Sequence, residues 1–303
     1  FVRPLQVYQT HDAQYEWALY DIAGVQLKYG ALASLDLIDQ TLMQNGIENV
    51  ELIGFWPANA AFSSKVSLPG NQARFIQQAL PFAVEEQVAQ DIEQIHIALG
   101  TKSKSSDYSV LSVDYALFKS YFDSLSNDSL DLPLKSIYLD ADLLPVSDVS
   151  LTLCIAEGTI LVKSSDQRSI CLKHENLITY LDSLLLAPSE DSDDAAGFDE
   201  LSILVYVEHD LLDSAKMLIA QIEQYPGVSL QIESISLSQF ELLCENYFKQ
   251  KQPAINLCQG DFQVSVQSNG AWRKWRSVAV IAGLGFLLQI GVFIGQGTYY
   301  EQQ

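Results

Sequence analysis

The stretch Leu201–Val207, LSILVYV, is apolar almost without a break. A strand that faces water on one side alternates apolar and polar residues, whereas a strand covered on both faces has no exposed position to give to a polar side chain. The run therefore predicts a central strand in a sheet packed against helices, an α/β arrangement. The residues after it agree: Leu211–Gln224 and Ser238–Phe248 read as helices, with the strand Ser229–Ile232 between them. The residues before it supply strands at Leu151–Ala156, Thr159–Val162 and Ser169–Leu172 and a helix at Glu175–Leu186. Pro188–Glu200, with Glu190, Asp191, Asp193 and Asp194, is too polar to bury anything and reads as a flexible surface loop.

The first half of the chain follows the same order. Strands at Pro4–Gln9, Tyr15–Ile22 and Val25–Ala31 precede a helix at Leu35–Gln44, closed by Asn45–Gly46, and a buried strand at Val50–Trp56 that Pro57 ends. After an interruption come strand Tyr108–Val113, helix Tyr115–Ser124 and strand Lys135–Leu139; the last helix of this copy is not distinct. The order β-β-β-α-β-α-β-α thus occurs twice. It predicts an α/β fold of duplicated ribonuclease-H-like (actin-like) lobes, residues 1–57 with 108–147 forming the first and 148–255 the second. Residues 58–107 read as an inserted small α+β subdomain: an extended piece at Val66–Leu68, a break at Leu80–Pro81, a helix at Ala83–Glu93 with Val84, Val88, Ile92 and Ile95 on one stripe, an extended Ile95–Leu99, and a Lys/Ser loop at Gly100–Ser106.

A second apolar run is of a different kind. Ser277–Gly295, SVAVIAGLGFLLQIGVFIG, is apolar except for Gln289. A helix needs about 20 such residues to cross the hydrocarbon core of a membrane. Arg273, Lys274 and Arg276 crowd its N-terminal side, and Glu301 is the one charge beyond it. By the positive-inside rule residues 1–276 lie in the cytoplasm, and the chain emerges on the other side at Thr298. Trp272 and Trp275 mark one interface, Tyr299 and Tyr300 the other, as expected for rings that are apolar at one edge and polar at the other. The competing reading, a buried core helix, does not account for basic and aromatic brackets at membrane spacing, and the run is too near the C-terminus to be a signal peptide. We thus expect one transmembrane helix at 277–295, a juxtamembrane linker at 256–276, and at 296–303 the start of a part beyond the membrane. The start at Phe1 rather than Met, and the stop just past the run, lead us to expect more protein after Gln303. Gly291-xxx-Gly295 is spaced for close packing of two membrane helices.

Of 303 residues, 38 are Asp or Glu and 17 are Lys or Arg, a net charge of −21, and some of the few cations sit beside the membrane run. Such a body repels nucleic acid and anionic lipid and favours a basic protein partner, so nucleic-acid binding is excluded. Cys154, Cys171, Cys244 and Cys258 form no CxxC pair, which fits reduced thiols in a core and gives no metal-ligand spacing. An actin-type ATPase needs acidic, Gly-rich hairpins between the first two strands of each lobe, to cradle phosphates and hold Mg²⁺. The first hairpin here, QTHDAQYEW, has no glycine, and the second, IAEGTILV, has one glycine and a Glu. There is no P-loop. His11, His96, His174 and His209 are isolated, and His96, in an apolar stretch, reads as a satisfied, partly buried residue rather than a catalyst. The expectation is a fold that persists without its site: no catalytic residues, cofactor or metal. The rival is an active actin-like ATPase scaffold of a pilus-type assembly system. Glu85, Glu86, Asp91 and Glu93, on the polar side of the Ala83–Glu93 segment, are the candidate partner-binding residues.

Three patches carry a family resemblance. Gln78–Gly100, QALPFAVEEQVAQDIEQIHIALG, resembles an LP-x-x-x-E-(D/E)-x-(L/V)-A-x-D-(I/V)-x-x-(L/I)-H stretch of protein L of the type II secretion system, with Gln87 and Val88 at its x-(L/V) positions. Asn256–Phe262, NLCQGDF, is similar to a box that this family carries shortly before its membrane helix, and Asp140–Pro145, DADLLP, to a third patch. Tyr108–Pro145 also looks like the pilus-assembly relative of the same actin-like group. The resemblance implies a non-enzymatic, single-pass inner-membrane component with its N-terminus cytoplasmic and its C-terminus periplasmic. It would dock the N-terminal domain of the secretion ATPase (type II secretion protein E), couple it to pseudopilus assembly, and assemble with protein M. The implied partners extend to inner-membrane proteins C and F, the major pseudopilin and a second copy of the chain. A periplasmic ferredoxin-like domain would follow Gln303.

Overall fold

The computed structural model describes residues 1–6, 13–68, 73–102, 107–127, 129–185, 201–250 and 253–264. Residues 1–264 form one unit and 265–303 a second, which lies wholly outside the described residues. The expected membrane helix, Gly291 and Gly295, and the anchors Trp272, Arg273, Lys274, Trp275, Arg276, Tyr299 and Tyr300 fall there; the acidic loop 188–200 and the tip of the first hairpin also lie outside the description. Among the described residues no helix is long and apolar enough to cross a membrane.

The first lobe is built from β1 (Val2–Pro4), β2 (Tyr15–Tyr20), β3 (Gln26–Ala33), α1 (Leu35–Gln44), β4 (Leu52–Trp56), α3 (Tyr115–Leu125) and β8 (Leu134–Leu139), with sheet order β3-β2-β1-β4-β8. Between β4 and α3 lie β5 (Ala61–Val66), α2 (Ala73–Glu85), β6 (Ile95–Lys102) and β7 (Tyr108–Asp114). The second lobe contains β9 (Leu151–Ile155), β10 (Thr159–Ser164), β11 (Ser169–Lys173), α4 (Leu177–Leu185), β12 (Leu201–Glu208), α5 (Leu212–Glu223), β13 (Val228–Ile235) and α6 (Gln239–Lys249), with order β11-β10-β9-β12-β13. In both sheets the first two strand pairs are antiparallel and the rest parallel. The duplicated α/β arrangement read from the order of elements is therefore present.

β12 shows why LSILVYV has no polar face. Leu201, Ile203, Val205 and Val207 enter the core beneath α4 and α5, while Leu204 and Tyr206 point to the opposite side, into the core of the first lobe. Local signals set the helix starts. Ser34 accepts from the Leu37 amide, Asp114 from the Leu117 amide, and Ser238 and Glu241 exchange bonds in a capping box.

Four expectations are corrected. Tyr108–Asp114 is not a strand of the first lobe; it is the middle strand of a separate antiparallel sheet, β5-β7-β6. Leu111 and Val113 face the first-lobe core while Tyr108 and Val110 face α2, so the strand is apolar on both sides for a reason sequence order hides. Ala83–Glu93 is not a helix. α2 ends at Glu85, a turn follows, and a single 3₁₀ turn spans Ile92–Gln94. Val84, Val88 and Ile92 do reach one cluster, but across a turn rather than along a helical stripe. Pro81 lies inside α2 instead of breaking it; the helix ends within a turn of it, so few backbone bonds are affected. Finally, α6 packs its Phe240, Leu243 and Cys244 into the first-lobe core. After β8 the first lobe has only the one-turn Ala141–Leu143, so a helix belonging in sequence to the second copy covers the first.

Candidate functional site at the lobe seam and the inserted sheet

In open α/β sheets a ligand binds beyond the carboxyl ends of the parallel strands. Here those ends belong to β1, β4 and β8 in one lobe and β9, β12 and β13 in the other, and side chains between them are bonded to one another. Arg3, in β1, donates from Nη1 to Gln239 Oε1 (2.9 Å) and from Nη2 to Glu16 Oε2 (2.8 Å), and lies 3.9 Å from Asp140 Oδ2. Its guanidinium stands 5.3 Å from the centre of the Phe240 ring. Gln239 in turn donates through Nε2 to the Cys154 carbonyl (3.4 Å), and its backbone N–H donates to Glu208 Oε1 (2.7 Å). One chain of contacts thus runs from β1 through the start of α6 to β9 and β12.

The DADLLP patch forms the floor of the seam. Asp140 is buried; its Oδ1 accepts from the amides of Ala58 (2.8 Å) and Ala141 (2.7 Å). Burial pushes its carboxyl up to about 6, with Arg3 and the two amides opposing that rise. Lys163, a buried lysine on β10, donates to the carbonyls of Asp142 (2.6 Å) and Leu144 (3.3 Å), which pins the second lobe to the end of the first. Burial lowers the Lys163 ammonium below its ordinary range, and Asp142 opposes the shift. From α6, Asn246 donates to the Leu143 carbonyl (2.7 Å). Beside Lys163 an open groove of about 400 Å³ has hydroxyls in its lining, among them Ser147, Ser150 and Thr152.

The NLCQGDF patch has a separate geometric role. Asn256 bridges to Tyr138 at the free edge of β8, and its Oδ1 accepts from the Ile137 amide (3.2 Å). Gln259 treats the outer edge of β6 as a neighbouring strand would: Oε1 accepts from the Leu99 amide and Nε2 donates to the Leu99 carbonyl, both at 3.0 Å. His96 donates from Nε2 to the Leu257 carbonyl (2.7 Å), stacks on Phe118 and meets the edge of Phe262. Burial pushes its imidazole down. It is the satisfied core histidine that its apolar surroundings predicted. Residues 254–262 therefore strap the first lobe to the inserted sheet. Gly100 is required there, since a Cβ on it would lie 2.6 Å from Ile255 Cδ1 and 2.9 Å from the Ser109 carbonyl oxygen.

The four predicted partner-binding residues are all exposed, but they do not share a helix face. Glu85 is the last residue of α2, Glu86 lies in the turn after it, Asp91 caps the 3₁₀ turn and Glu93 sits within that turn. Among the described residues no cluster of His, Cys, Asp or Glu is arranged to hold a metal. All four cysteines are free thiols, and burial pushes those of Cys154 and Cys258 up to about 12, so both are inert at neutral pH. Sequence reasoning missed Arg3 and Gln239. A lone Arg in a strand and a Gln at a helix start carry no local mark of a contact 236 residues apart.

The comparisons with known proteins agree with the resemblance in the three patches. A family model described as type II secretion system (T2SS), protein L, matches residues 4–250. Type II secretion system protein L of Pseudomonas aeruginosa is 26% identical over 250 residues, 82% of this chain and 55% of that one. The protein of that name from Vibrio cholerae is 23% identical over 240 residues, 79% of this chain and 53% of that one. The chain thus spans about half the length of these relatives. Among solved structures, the cytoplasmic domain of EpsL, an inner membrane component of the type II secretion system of Vibrio cholerae, superposes with a TM-score of 0.60 at 19% identity, over 86% of this chain and 98% of that one. At that identity the likeness concerns the fold.

Proposed function

The chain belongs to the type II secretion system protein L family, and from that premise we propose that it is a non-enzymatic inner-membrane component that recruits the cytoplasmic secretion ATPase and couples it to pseudopilus assembly. The family match across residues 4–250 carries the reading. Three further observations support it. A solved structure of the same fold is described as an inner membrane component of that system. Ser277–Gly295 has the length and the flanks of a single membrane span with residues 1–276 on the cytoplasmic side. The seam where an actin-like protein would hold a nucleotide uses Arg3, Gln239 and Glu208 on one another, and each of these groups would have to be released before it could meet a phosphate.

In this reading the ATPase supplies the chemistry, and the acidic insert, with Glu85, Glu86, Asp91 and Glu93, forms part of its dock. Protein M, inner-membrane proteins C and F, the major pseudopilin and a second copy of the chain complete the assembly. The test is co-purification of the full chain, in detergent, with the N-terminal domain of the secretion ATPase, together with a Mg-ATP titration. Stable co-elution with no micromolar ATP affinity is expected. No co-elution sinks the recruiting role, and micromolar Mg-ATP binding favours the active ATPase scaffold.

A further inference from the structure

Four phenylalanines among the described residues are exposed, and three of them, Phe62, Phe75 and Phe82, lie between β4 and α3. Two of the three stand on α2. Its inner face is Ile76, Leu80 and Val84, all buried against the inserted sheet. Phe75 and Phe82 are seven residues apart, two helical turns, which puts them on one stripe opposite that inner face and about 10 Å apart along the axis. They are 54% and 72% exposed. Neither is needed to fill a core, and two large rings in water on one helix face cost solubility without adding stability.

The charges nearby are also wrong for stability. Glu85 closes α2 and Glu86 follows it. The C-terminal end of a helix is its negative pole, where Lys or Arg would stabilise it and carboxylates do the opposite. Among the described residues neither has an ion-pair partner; the exposed Asp91 and Glu93 follow in the same segment. Aromatic anchors with an acidic rim form a surface complementary to an apolar stripe flanked by cations.

We propose that the outer face of α2 seats a cationic amphipathic helix of the recruited partner, with Phe75 and Phe82 as the anchors and Glu85 and Glu86 steering its Lys and Arg residues. This rests on the recruiting role proposed above and names the face and the chemistry that perform it. The pairing is helix against helix, with the partner's apolar side chains two turns apart to match the rings.

The test uses the full chain in detergent and, as probe, the purified N-terminal domain of the secretion ATPase, with affinity read at two salt concentrations. Phe75→Ser with Phe82→Ser is expected to weaken binding about 30-fold or more, because both anchors of the interface are removed. Its thermal unfolding should be unchanged, because neither ring is buried. Glu85→Lys with Glu86→Lys is expected to weaken binding about 5- to 10-fold at low salt and to flatten the salt dependence. If the unaltered chain fails to bind the probe, the recruiting role falls and this proposal with it. If the unaltered chain binds and the Phe variant binds equally well, only the proposal is overturned. Loss of self-association in the Phe variant, with probe binding intact, would assign the face to a second copy and overturn it too. Loss of binding in the Phe variant with no effect of charge reversal would overturn the cationic partner.

Discussion

The two lobes share a strand order and differ in what fills their cores. The second lobe's core is aliphatic: every fully buried member, from Leu151 to Ile222, is Leu, Ile, Val or Ala, and all come from that lobe's own strands and helices. The first lobe's core is rich in rings, with Tyr15, Trp17, Phe55, Trp56, Phe118 and Tyr121 of its own, and it takes in Phe240 from α6, Phe262 from the strap, and Leu111 and Val113 from the inserted sheet. Small branched side chains close a core between a sheet and its own helices. Rings bury more surface each and reach further, so they join elements that belong to different layers. The same topology has thus been used once as a self-contained support and once as a hub on which insert, seam and strap converge.

The largest expected effect separates hub from support. Phe118 is fully buried where α3, β6 and the strap meet, touching Trp56, His96 and Phe262. Phe118→Ala should cost about 3–5 kcal/mol. Its signature in hydrogen exchange should be early opening of β6 and of residues 254–262, with the second lobe still protected. Leu153→Ala, in the aliphatic core, should cost about 2–5 kcal/mol and open β9, β10 and β12 while β6 stays protected. Equal loss of protection at β6 in both variants would break the distinction.

A second difference is electrostatic. The first lobe ends β8 on a buried acid, Asp140, whereas β13 is followed by Ser236 and has no such group. Because burial raises the Asp140 carboxyl from 3.8 to about 6, the folded state holds that proton more tightly than the unfolded chain does. Its contribution to stability is fully present below pH 3.8 and is lost as pH rises through about 6. Asp140→Asn keeps an acceptor for the Ala58 and Ala141 amides and removes the titration. Urea unfolding from pH 4 to pH 7 should show the unaltered chain losing roughly 2 kcal/mol relative to this variant across that window. A difference of the opposite sign would mean that Arg3 and the two amides outweigh burial.

What the residues disclosed beforehand divides the lobes from the insert. Most strands of both lobes, the helices α1, α3, α4, α5 and α6, and the stop of α1 at Asn45–Gly46 are written in local terms: an apolar run, a stripe, or a Gly at the helix end. The insert was not legible in this way. β5, AFSSKV, is too polar to announce a strand and exists because β7 pairs with it along its whole length. β7 reads as a buried strand, but which sheet it joins is decided by partners on either side of it, not by its own residues. The stripe at Val84, Val88 and Ile92 has helical spacing and arises across a turn. The acids at 85, 86, 91 and 93 were legible as residues, but their placement beside Phe75 and Phe82 was not, because the helix carrying those rings begins ten residues upstream of the helix the stripe suggested. The seam was invisible for the plainest reason: Arg3 and Gln239 meet only once both lobes have folded.

Gly100 gives the smallest and sharpest test of the hub. In sequence it opens a Lys/Ser loop; in the structure it lies within β6, and its missing Cβ is the space into which Ile255 of the strap fits. Gly100→Ala can be relieved in only two directions, because the Ser109 carbonyl oxygen belongs to the paired sheet and the Ile255 side chain to the strap. A side chain at the end of a strap yields more readily than a hydrogen-bonded backbone, so the strap should lift while the sheet holds. The expected cost is about 1–2 kcal/mol of overpacking. Faster exchange at the Leu257 and Cys258 amides, with the β5-β7-β6 ladder unchanged, would show the strap as the compliant part. Weakening of the ladder, with residues 254–262 still protected, would instead make the inserted sheet the yielding element and the strap the fixed one, and would reverse the direction in which the two are coupled.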